Sequence, residues 1–319
     1  MRRILWVVTA AACATLSVSV ASQQAATGMY PDKPWAFPAQ IEKPFPPDAA
    51  PKTVPGSSKK YTEKEIDDLM NPPDWFPDQH PTPPQIVMKG HGGAMACGAC
   101  HLMSGLGHPE SSGLTGLSAP YIVQQMIDFK NGTRKDVTGK RMNGIAMEMT
   151  DKEIQEAAEY FAALPVRAFQ KVVEMDMVPK TFLANGRMRF VDPGGAMEPI
   201  GARIITVPQE VERVRLRDPY VGFLSYVPTG SLARGKNLVE TGGGKTMNCA
   251  LCHGAGLKGQ ASIPRLAGMH PIYTARQLYW FKDGTRSGPD AALMKPWVAS
   301  LNDDDIVAIS AYLASLDEP

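Results

Sequence analysis

Two segments of the sequence place a histidine directly after a pair of cysteines: Cys97-Gly-Ala-Cys100-His101 and Cys249-Ala-Leu-Cys252-His253. Their first cysteines are 152 residues apart. In C-x-x-C-H, two thiols form thioethers to the vinyl groups of a haem and the histidine binds its iron. Cysteines three positions apart lie on one face of a helical turn, which suits this attachment. The two segments therefore predict two covalently bound haem c groups, one on each motif.

The other cysteines leave little room for a different chemistry. The chain has five cysteines, and the fifth, Cys13, lies in an apolar N-terminal leader. No thiol remains for a disulfide, a zinc site or a nucleophile outside the motifs. The alternative is two C-x-x-C redox or zinc sites that happen to precede histidine, and the duplication argues against it. No nucleophile triad, phosphate-binding loop or catalytic carboxylate pair stands out, so no catalytic residue is predicted.

The first 21 residues have the pattern of a signal peptide. Arg2 and Arg3 are followed by an apolar or small-residue stretch over 4–20 and a small-x-small cleavage site ending at Ala21. A lipoprotein site at Cys13 fits poorly, because the usual upstream leucine is missing. No later stretch reaches the roughly 18–20 apolar residues of a transmembrane helix. We expect a protein that is exported to the periplasm and soluble after cleavage, the compartment in which C-x-x-C-H chains receive haem.

Composition is that of an ordinary globular protein. The chain has 319 residues, 44% hydrophobic content and a formal net charge of +1. This length favours two domains, and the near-zero charge gives no indication of nucleic-acid binding.

The sequence also contains a long internal repeat. A shift of 152 residues aligns 87–164 (the first copy) with 239–316 (the second copy) without a gap. Outside the motifs, the identical positions include Tyr121, Gln125, Phe129, Arg134, Met142, Asp151 and Ile154, which meet Tyr273, Gln277, Phe281, Arg286, Met294, Asp303 and Ile306. The repeat predicts a duplicated domain with one haem in each copy.

Each copy has the pattern of a small helical unit. A short helix carries the motif, a glycine-rich loop follows, and a helix runs over about 120–131 or 271–283. A loop then presents a methionine. A last helix begins at Thr150 or Asn302, each followed three residues later by an acidic residue, as in a capping box. Its apolar positions recur at helical spacing: Ile154, Ala157, Ala158, Phe161 and Leu164, with Ile306, Ile309, Leu313 and Leu316 in the second copy.

A sixth iron ligand is predicted from the same repeat. Met142 and Met294 each lie 41 residues after the histidine of their motif. A methionine thioether opposite imidazole raises the reduction potential of a haem. Most of the 17 methionines are expected to fill cores. Met147 and Met149 compete with Met142, but neither has a methionine counterpart in the second copy.

The second copy carries the fuller set of family motifs: Cys249-Ala-Leu-Cys252-His253-Gly254, Pro264-Arg-Leu-Ala-Gly268, the Tyr273 to Arg286 pattern, Met294 and Asp303-Asp-Asp-Ile306. Each copy resembles a class I cytochrome c, and the tandem resembles the periplasmic dihaem class I electron carriers. The resemblance covers about 160 residues in two blocks. It implies a mainly α fold with two tandem class I cytochrome c domains, at 85–165 and 230–319, and iron bound axially by His101 and Met142 and by His253 and Met294.

The resemblance also implies roles beside the haem. The carbonyl of Pro264 should accept the Nδ1–H of His253 and fix the ring. The first copy departs from this pattern, with Ser112 at the equivalent position. Arg134 and Arg286 are candidates for pairing with haem propionates; the alternative for each is a solvated surface arginine.

Two further segments extend beyond a minimal tandem. Residues 22–84 contain half of the 28 prolines and predict an extended arm (the N-terminal arm), with one short helix over 62–70 and aromatic side chains that attach the arm to a domain or partner. Residues 166–229 (the insertion) are too long for a linker. Strand-like runs at 187–191, 202–207 and 221–227 predict a small β-rich unit.

Several charged or titratable residues are expected at the surface. They are four histidines (His80, His91, His108 and His270) and a basic run near the first methionine (Lys130, Arg134, Lys135, Lys140 and Arg141). The run is either a solvated face or a surface that steers an acidic redox partner.

These features favour an exported dihaem electron carrier. Its expected partners are redox proteins, with a periplasmic dehydrogenase as donor and an oxidase or other respiratory acceptor. One alternative is an enzyme like the dihaem cytochrome c peroxidases, which needs one iron with an open site; a methionine in each copy argues against it. The other is a permanent cytochrome subunit of a dehydrogenase complex, with the arm and the insertion as docking surfaces.

Overall fold

The computed structural model describes residues 30–38, 41–46, 48–137 and 141–316. The predicted signal peptide at 1–21 and Lys140 of the basic run lie outside these residues. Within them, no helix has both the length and the apolar character needed to cross a membrane.

The N-terminal arm contains one short α-helix, α1 (Glu63–Ile66), and a 3-10 turn at Pro77–Gln79. Thr62 and Glu65 form the predicted capping box. The helix is shorter than the predicted 62–70, because the carboxylate of Asp68 accepts a hydrogen bond from the Met70 amide at 2.8 Å and replaces helical bonding there.

Aromatic side chains attach the arm at two places. Trp35 and Phe37 are buried in the apolar core of the second copy. Trp75 and Phe76 form a separate cluster, into which Tyr220 of the insertion packs. The described part of the arm therefore contacts both the second copy and the insertion.

The first copy is built from five helices: α2 (Gln85–Met88), α3 (Gly98–His101), α4 (Ala119–Lys130), α5 (Arg141–Glu148) and α6 (Asp151–Ala162). Helix α4 begins after Ser118, whose hydroxyl accepts from the Tyr121 amide, with proline in the first turn. Helix α6 begins with the predicted capping box at Thr150. Its predicted apolar positions are buried and pack against α4.

The insertion contains seven short strands and one helix: β1 (Gln170–Glu174), β2 (Met177–Pro179), β3 (Thr181–Leu183), β4 (Arg189–Val191), β5 (Met197–Pro199), β6 (Ile205–Pro208), α7 (Val211–Arg215) and β7 (Phe223–Val227). The strands form a three-stranded sheet, β1-β7-β6, and two antiparallel pairs, β2-β5 and β3-β4. Strand β7 lies in the middle of the three-stranded sheet, with β1 parallel to β7 and β6 antiparallel to β7. Strands β4, β6 and β7 overlap the three strands predicted from sequence, whereas the other four were not predicted.

The second copy repeats the helical unit as α8 (Ser231–Thr241), α9 (Ala250–His253), α10 (Pro271–Asp283), α11 (Ala291–Val298) and α12 (Asp303–Ser315), with a 3-10 turn at Ala255–Leu257. Asn302 caps α12 through a second capping box. Gly235 allows α8 to lie directly on α12, because a side chain there would overlap the Ala308 carbonyl.

Two local predictions are wrong. The methionine segments are helical, in α5 and α11, where loops were predicted. His270 is only 1% exposed, because it packs against Phe169 and Phe223 of the insertion. His91 is exposed, as expected.

Candidate functional site

The first C-x-x-C-H motif borders a cavity of about 740 Å³. Cys97, Cys100 and His101, from the start and body of α3, share its wall with Met142 of α5. The volume falls in the range of cavities that hold cofactors. The four residues expected to hold one haem therefore face one space.

Each motif histidine is oriented by a backbone carbonyl. Nδ1 of His101 lies 2.8 Å from the carbonyl oxygen of Ser112, and Nδ1 of His253 lies 2.7 Å from that of Pro264. A carbonyl only accepts, so Nδ1–H donates and Nε2 is left as the ligand atom. Burial lowers the pKa of both rings, so both are neutral, the form that binds a metal.

The loops that supply these carbonyls depend on glycine. Gly107 donates its amide to the His101 carbonyl and Gly259 donates to that of His253, at 3.0 and 2.8 Å. Both glycines have positive φ, and a side chain at either would overlap the backbone of the returning loop. The glycine-rich loop after each motif therefore folds back and carries the accepting carbonyl under the histidine ring.

The methionines lie on equivalent helices. Met142 and Met294 are both partly buried and pack against the cores of their copies. Of the competing methionines, Met147 is 61% exposed. Met149 is buried and also borders the cavity, and its counterpart in the second copy is Leu301.

The pKa values of two motif cysteines are strongly raised in the folded chain. Burial raises the pKa of Cys97 to about 12 and that of Cys249 to about 11. Both therefore stay protonated at neutral pH and are poor nucleophiles in the folded state.

A buried polar cluster joins the two copies. Arg134 donates to Oε1 of Gln125 and of Gln277, at 2.9 and 3.0 Å. Arg286 donates to the same two oxygens, at 2.7 and 2.9 Å, and also to the hydroxyl of Tyr121 at 2.9 Å. The backbones of the two arginines pair in an antiparallel bridge. Equivalent residues thus exchange contacts across a pseudo-twofold axis.

The two guanidinium groups are not surface groups. Arg134 is 5% exposed and Arg286 is 8% exposed, and in the described chain neither forms a salt bridge. Burial and the charge of Arg134 lower the pKa of Arg286. Buried charges without anionic partners are costly, so this cluster has unused capacity to bind an anion.

Unpaired buried donors lie at the same place. Among the residues that the structure describes, Nε of Arg134, Nε2 of Gln277 and Nε1 of Trp280 have no hydrogen-bond partner. Arg134 and Trp280 border the cavity of the first copy. An apolar cavity with a histidine, a methionine and free donors at one margin fits a haem, whose carboxylates would meet those donors.

Sequence reasoning missed two arginine contacts around this cavity. Arg276 of α10 pairs with Glu110 of the first copy at 2.6 Å, and both side chains are largely buried. Arg217 of the insertion donates to the carbonyl of Ala99 inside the first motif. No repeated position or motif spacing identifies either residue. The repeat did identify the Tyr, Gln and Arg positions of the polar cluster, but it did not predict that they contact one another across the two copies.

The sequence of the second copy matches a known protein family. Residues 232–317 match the family model described as cytochrome c, a class of proteins that bind haem c covalently. Cytochrome c-554(548) of Halomonas halodenitrificans is 40% identical over 87 residues, which are 27% of this chain and 96% of that protein. The chain therefore belongs to the cytochrome c family.

Longer relatives span both copies. Cytochrome c4 of Pseudomonas aeruginosa is 28% identical over 232 residues, covering 71% of this chain and 87% of that protein. A thiosulfate dehydrogenase electron acceptor of Stutzerimonas stutzeri is 27% identical over 228 residues, covering 70% and 81%. The crystal structure of reduced cytochrome c4 from Pseudomonas stutzeri superposes with a TM-score of 0.44 at 22% identity, over 69% of this chain and 93% of that one.

Proposed function

We propose that this protein carries single electrons between a periplasmic dehydrogenase and a respiratory acceptor, using two haem c groups. The observation that carries the proposal is the matched pair of sites: each copy holds a neutral histidine oriented by a carbonyl, at 2.8 or 2.7 Å, and a methionine 41 residues later. Relatives named cytochrome c4 and thiosulfate dehydrogenase electron acceptor support it.

The residues divide the work of holding each haem. Cys97 and Cys100 anchor the first haem, and Cys249 and Cys252 anchor the second. His101 with Met142, and His253 with Met294, fill the two axial positions. A haem c bound in this way supplies reversible one-electron iron chemistry in the potential range of carriers.

Arg134 and Arg286 serve the haem propionates from the interface cluster. Their buried charges lack carboxylate partners, and Nε of Arg134 lacks any acceptor. The carbonyl of Pro264, like that of Ser112, keeps the histidine ring in one orientation, so little movement accompanies a change of oxidation state.

The chain is divided as the repeat indicates. We assign 1–21 to a signal peptide, 22–84 to the arm, 85–165 and 230–319 to the two cytochrome c domains, and 166–229 to the insertion. Each of the two domains has its own apolar core, which supports the division into two domains, although the core of the second also takes in Trp35 of the arm and Ile204 of the insertion.

A carrier is favoured over a peroxidase because both copies have a methionine for the sixth position. A peroxidase needs an iron that substrate can reach and an acid or base beside it. A permanent subunit of a dehydrogenase complex differs from a carrier only in the lifetime of the association. Copurification of a large partner in stoichiometric amount would favour the subunit.

The test is an EPR spectrum of the ferric, haem-loaded protein together with a potentiometric titration. We expect two low-spin His/Met signals and two one-electron transitions. A high-spin or bis-histidine signal at either iron would contradict the methionine assignment. A single transition would contradict the dihaem carrier.

A further inference from the structure

The two haem motifs differ sharply in exposure. Ala99 and Leu251 are equivalent residues, each the last residue before the second cysteine of its motif. Ala99 is 1% exposed, whereas Leu251 is 68% exposed. The repeat is therefore symmetric in sequence, but the position before the second cysteine faces solvent in the second motif and is covered in the first.

Arg217 of the insertion covers the first motif. Its guanidinium donates to the Ala99 carbonyl and also pairs with Asp67 of the arm at 3.3 Å. Its backbone has a φ of +56°, a conformation that costs about 1 kcal/mol or more for a non-glycine residue. The preceding carbonyl, of Leu216, accepts from Nε1 of Trp75 at 2.7 Å. The arm and the insertion are thus bonded to each other across the motif.

The insertion also closes the cavity behind this cover. Phe190, Val214, Val221 and Phe223 border the 740 Å³ cavity and form one buried apolar cluster. In a protein without the insertion, this side of the first haem site would be open.

The basic run near the first methionine is only partly exposed: Lys135 and Arg141 are exposed, and two other members are not free. Arg134 is buried, and Lys130 is engaged by the Met149 carbonyl and by Asp151, at 3.1 and 3.2 Å. Among the described residues, the first copy therefore presents a motif that is covered at Ala99, and its exposed basic residues lie apart from that position in the sequence.

The second copy presents an apolar surface at the equivalent place. Leu293 and Trp297 are 70% and 41% exposed, and they lie one turn apart on α11, on either side of Met294. The counterpart of Trp297 in the first copy, Ile145, is only 9% exposed. Leu251 adjoins Cys252, which is also exposed. We call Leu251, Leu293 and Trp297 the open face.

The size and charge of the open face indicate what docks there. Three side chains supply a few hundred Å² of apolar area, on the order of 150–250 Å² for the largest. A stable dimer needs more, whereas brief electron-transfer encounters have small interfaces. The charged residues on and beside α11, Asp290 and Lys295, have opposite signs and partly cancel each other.

We propose that the second copy is the electron port of this protein, and that the open face docks a redox protein with an apolar, weakly charged surface at its own cofactor. The first copy then exchanges electrons only with the second. In each encounter the reduced partner loses one electron and the ferric haem of the second copy gains it, with no proton or atom transferred. The proposal rests on the proposed function, because it takes both copies to hold redox-active haem.

The test is voltammetry of the haem-loaded protein on gold coated with methyl-terminated alkanethiols, with carboxylate-terminated coatings for comparison. The methyl-terminated surface is the apolar probe. We expect faster electron exchange on it than on the carboxylate surface. Leu251→Glu and Leu293→Glu should each lower the exchange rate at least tenfold. Met147→Glu, at a 61% exposed position on the equivalent helix of the first copy, is the matched control and should change it less than twofold.

A solution titration of each variant separates the two proposals. If two one-electron transitions are absent from the wild type, the proposed function fails. If they are present but Met147→Glu slows exchange as much as Leu293→Glu, or the carboxylate surface is faster, the electron port is wrong. A dimer in sedimentation that Leu293→Glu dissociates would assign the open face to a second copy of this chain and overturn the docking partner.

A second measurement tests the cover without any partner. In the reduced, diamagnetic protein, a neutral soluble paramagnetic probe should broaden the methyl signals of Leu251 and leave that of Ala99 sharp. Equal broadening of both would show that the first motif is open and would overturn the proposal.

Discussion

Replacing Arg286 with methionine tests whether the arginine cluster holds the two copies together. The substitution removes three hydrogen bonds of 2.7–2.9 Å, to Tyr121 and Gln125 in the first copy and to Gln277 in its own. Bonds from a charged donor contribute about 1.5–3 kcal/mol each. Both glutamine oxygens still accept hydrogen bonds from Arg134 in this variant, and the cost of burying one charge is removed. The net loss of stability is therefore smaller than the sum of the three hydrogen bonds. We expect the free energy of unfolding to fall by about 2–4 kcal/mol.

The assay is urea unfolding of the haem-loaded protein followed by Soret circular dichroism, with the single and double variants of Arg134 and Arg286. Because the two arginines share both acceptors, only the double variant leaves the buried oxygens of Gln125 and Gln277 without either arginine donor. It should therefore lose at least about 1 kcal/mol more than the sum of the single losses. Lys152→Met, at an 84% exposed side chain, is the control and should stay within about 0.5 kcal/mol of wild type. Additive losses, or a loss for Arg286→Met no larger than the control, would refute the reasoning.

Three further outcomes are expected. Met294→Ala should convert one of the two low-spin haems to high spin, seen by EPR, and a spectrum unchanged from wild type would reject this ligand. Burial alone would raise the pKa of Asp305, but hydrogen bonds from Lys245 and Arg234 hold this pKa below 3.8. Its contribution to stability is therefore complete above about pH 4 and lost as pH falls through the folded pKa, and Asp305→Asn should flatten this acid limb in thermal melts. Trp35→Ala should cost about 3–5 kcal/mol in urea unfolding, because Trp35 is 5% exposed within the core of the second copy; a cost below 1 kcal/mol would show that the arm is not anchored there.

Local chemistry made the helices of the copies predictable. A capping side chain before α6 and α12, and a proline in the first turn of α4 and α10, specify where each helix begins. Apolar spacing then indicates which face is buried. Helix α10 starts and ends at the predicted residues, 271 and 283.

Contacts between distant segments were not predictable in this way. Strand β1 is parallel to β7, about fifty residues away, so no turn signal joins them. The burial of Arg134 and Arg286 depends on how the copies dock, which no periodicity within one copy specifies. The methionine segments were predicted as loops but are helical; Gly144 inside α5 and Pro296 inside α11 weaken the helical pattern of each.

The contacts of the arm constrain the order in which the segments of the chain can fold. Residues 30–38 leave the ribosome early, yet Phe37 packs against Tyr279 and Trp280 of α10, near the end of the chain. The hydrogen bond that covers Ala99 likewise cannot form until Arg217 of the insertion is in place. Ala99 of the first motif is therefore covered only after the insertion has folded against it, whereas Leu251 of the second motif stays exposed in the finished fold.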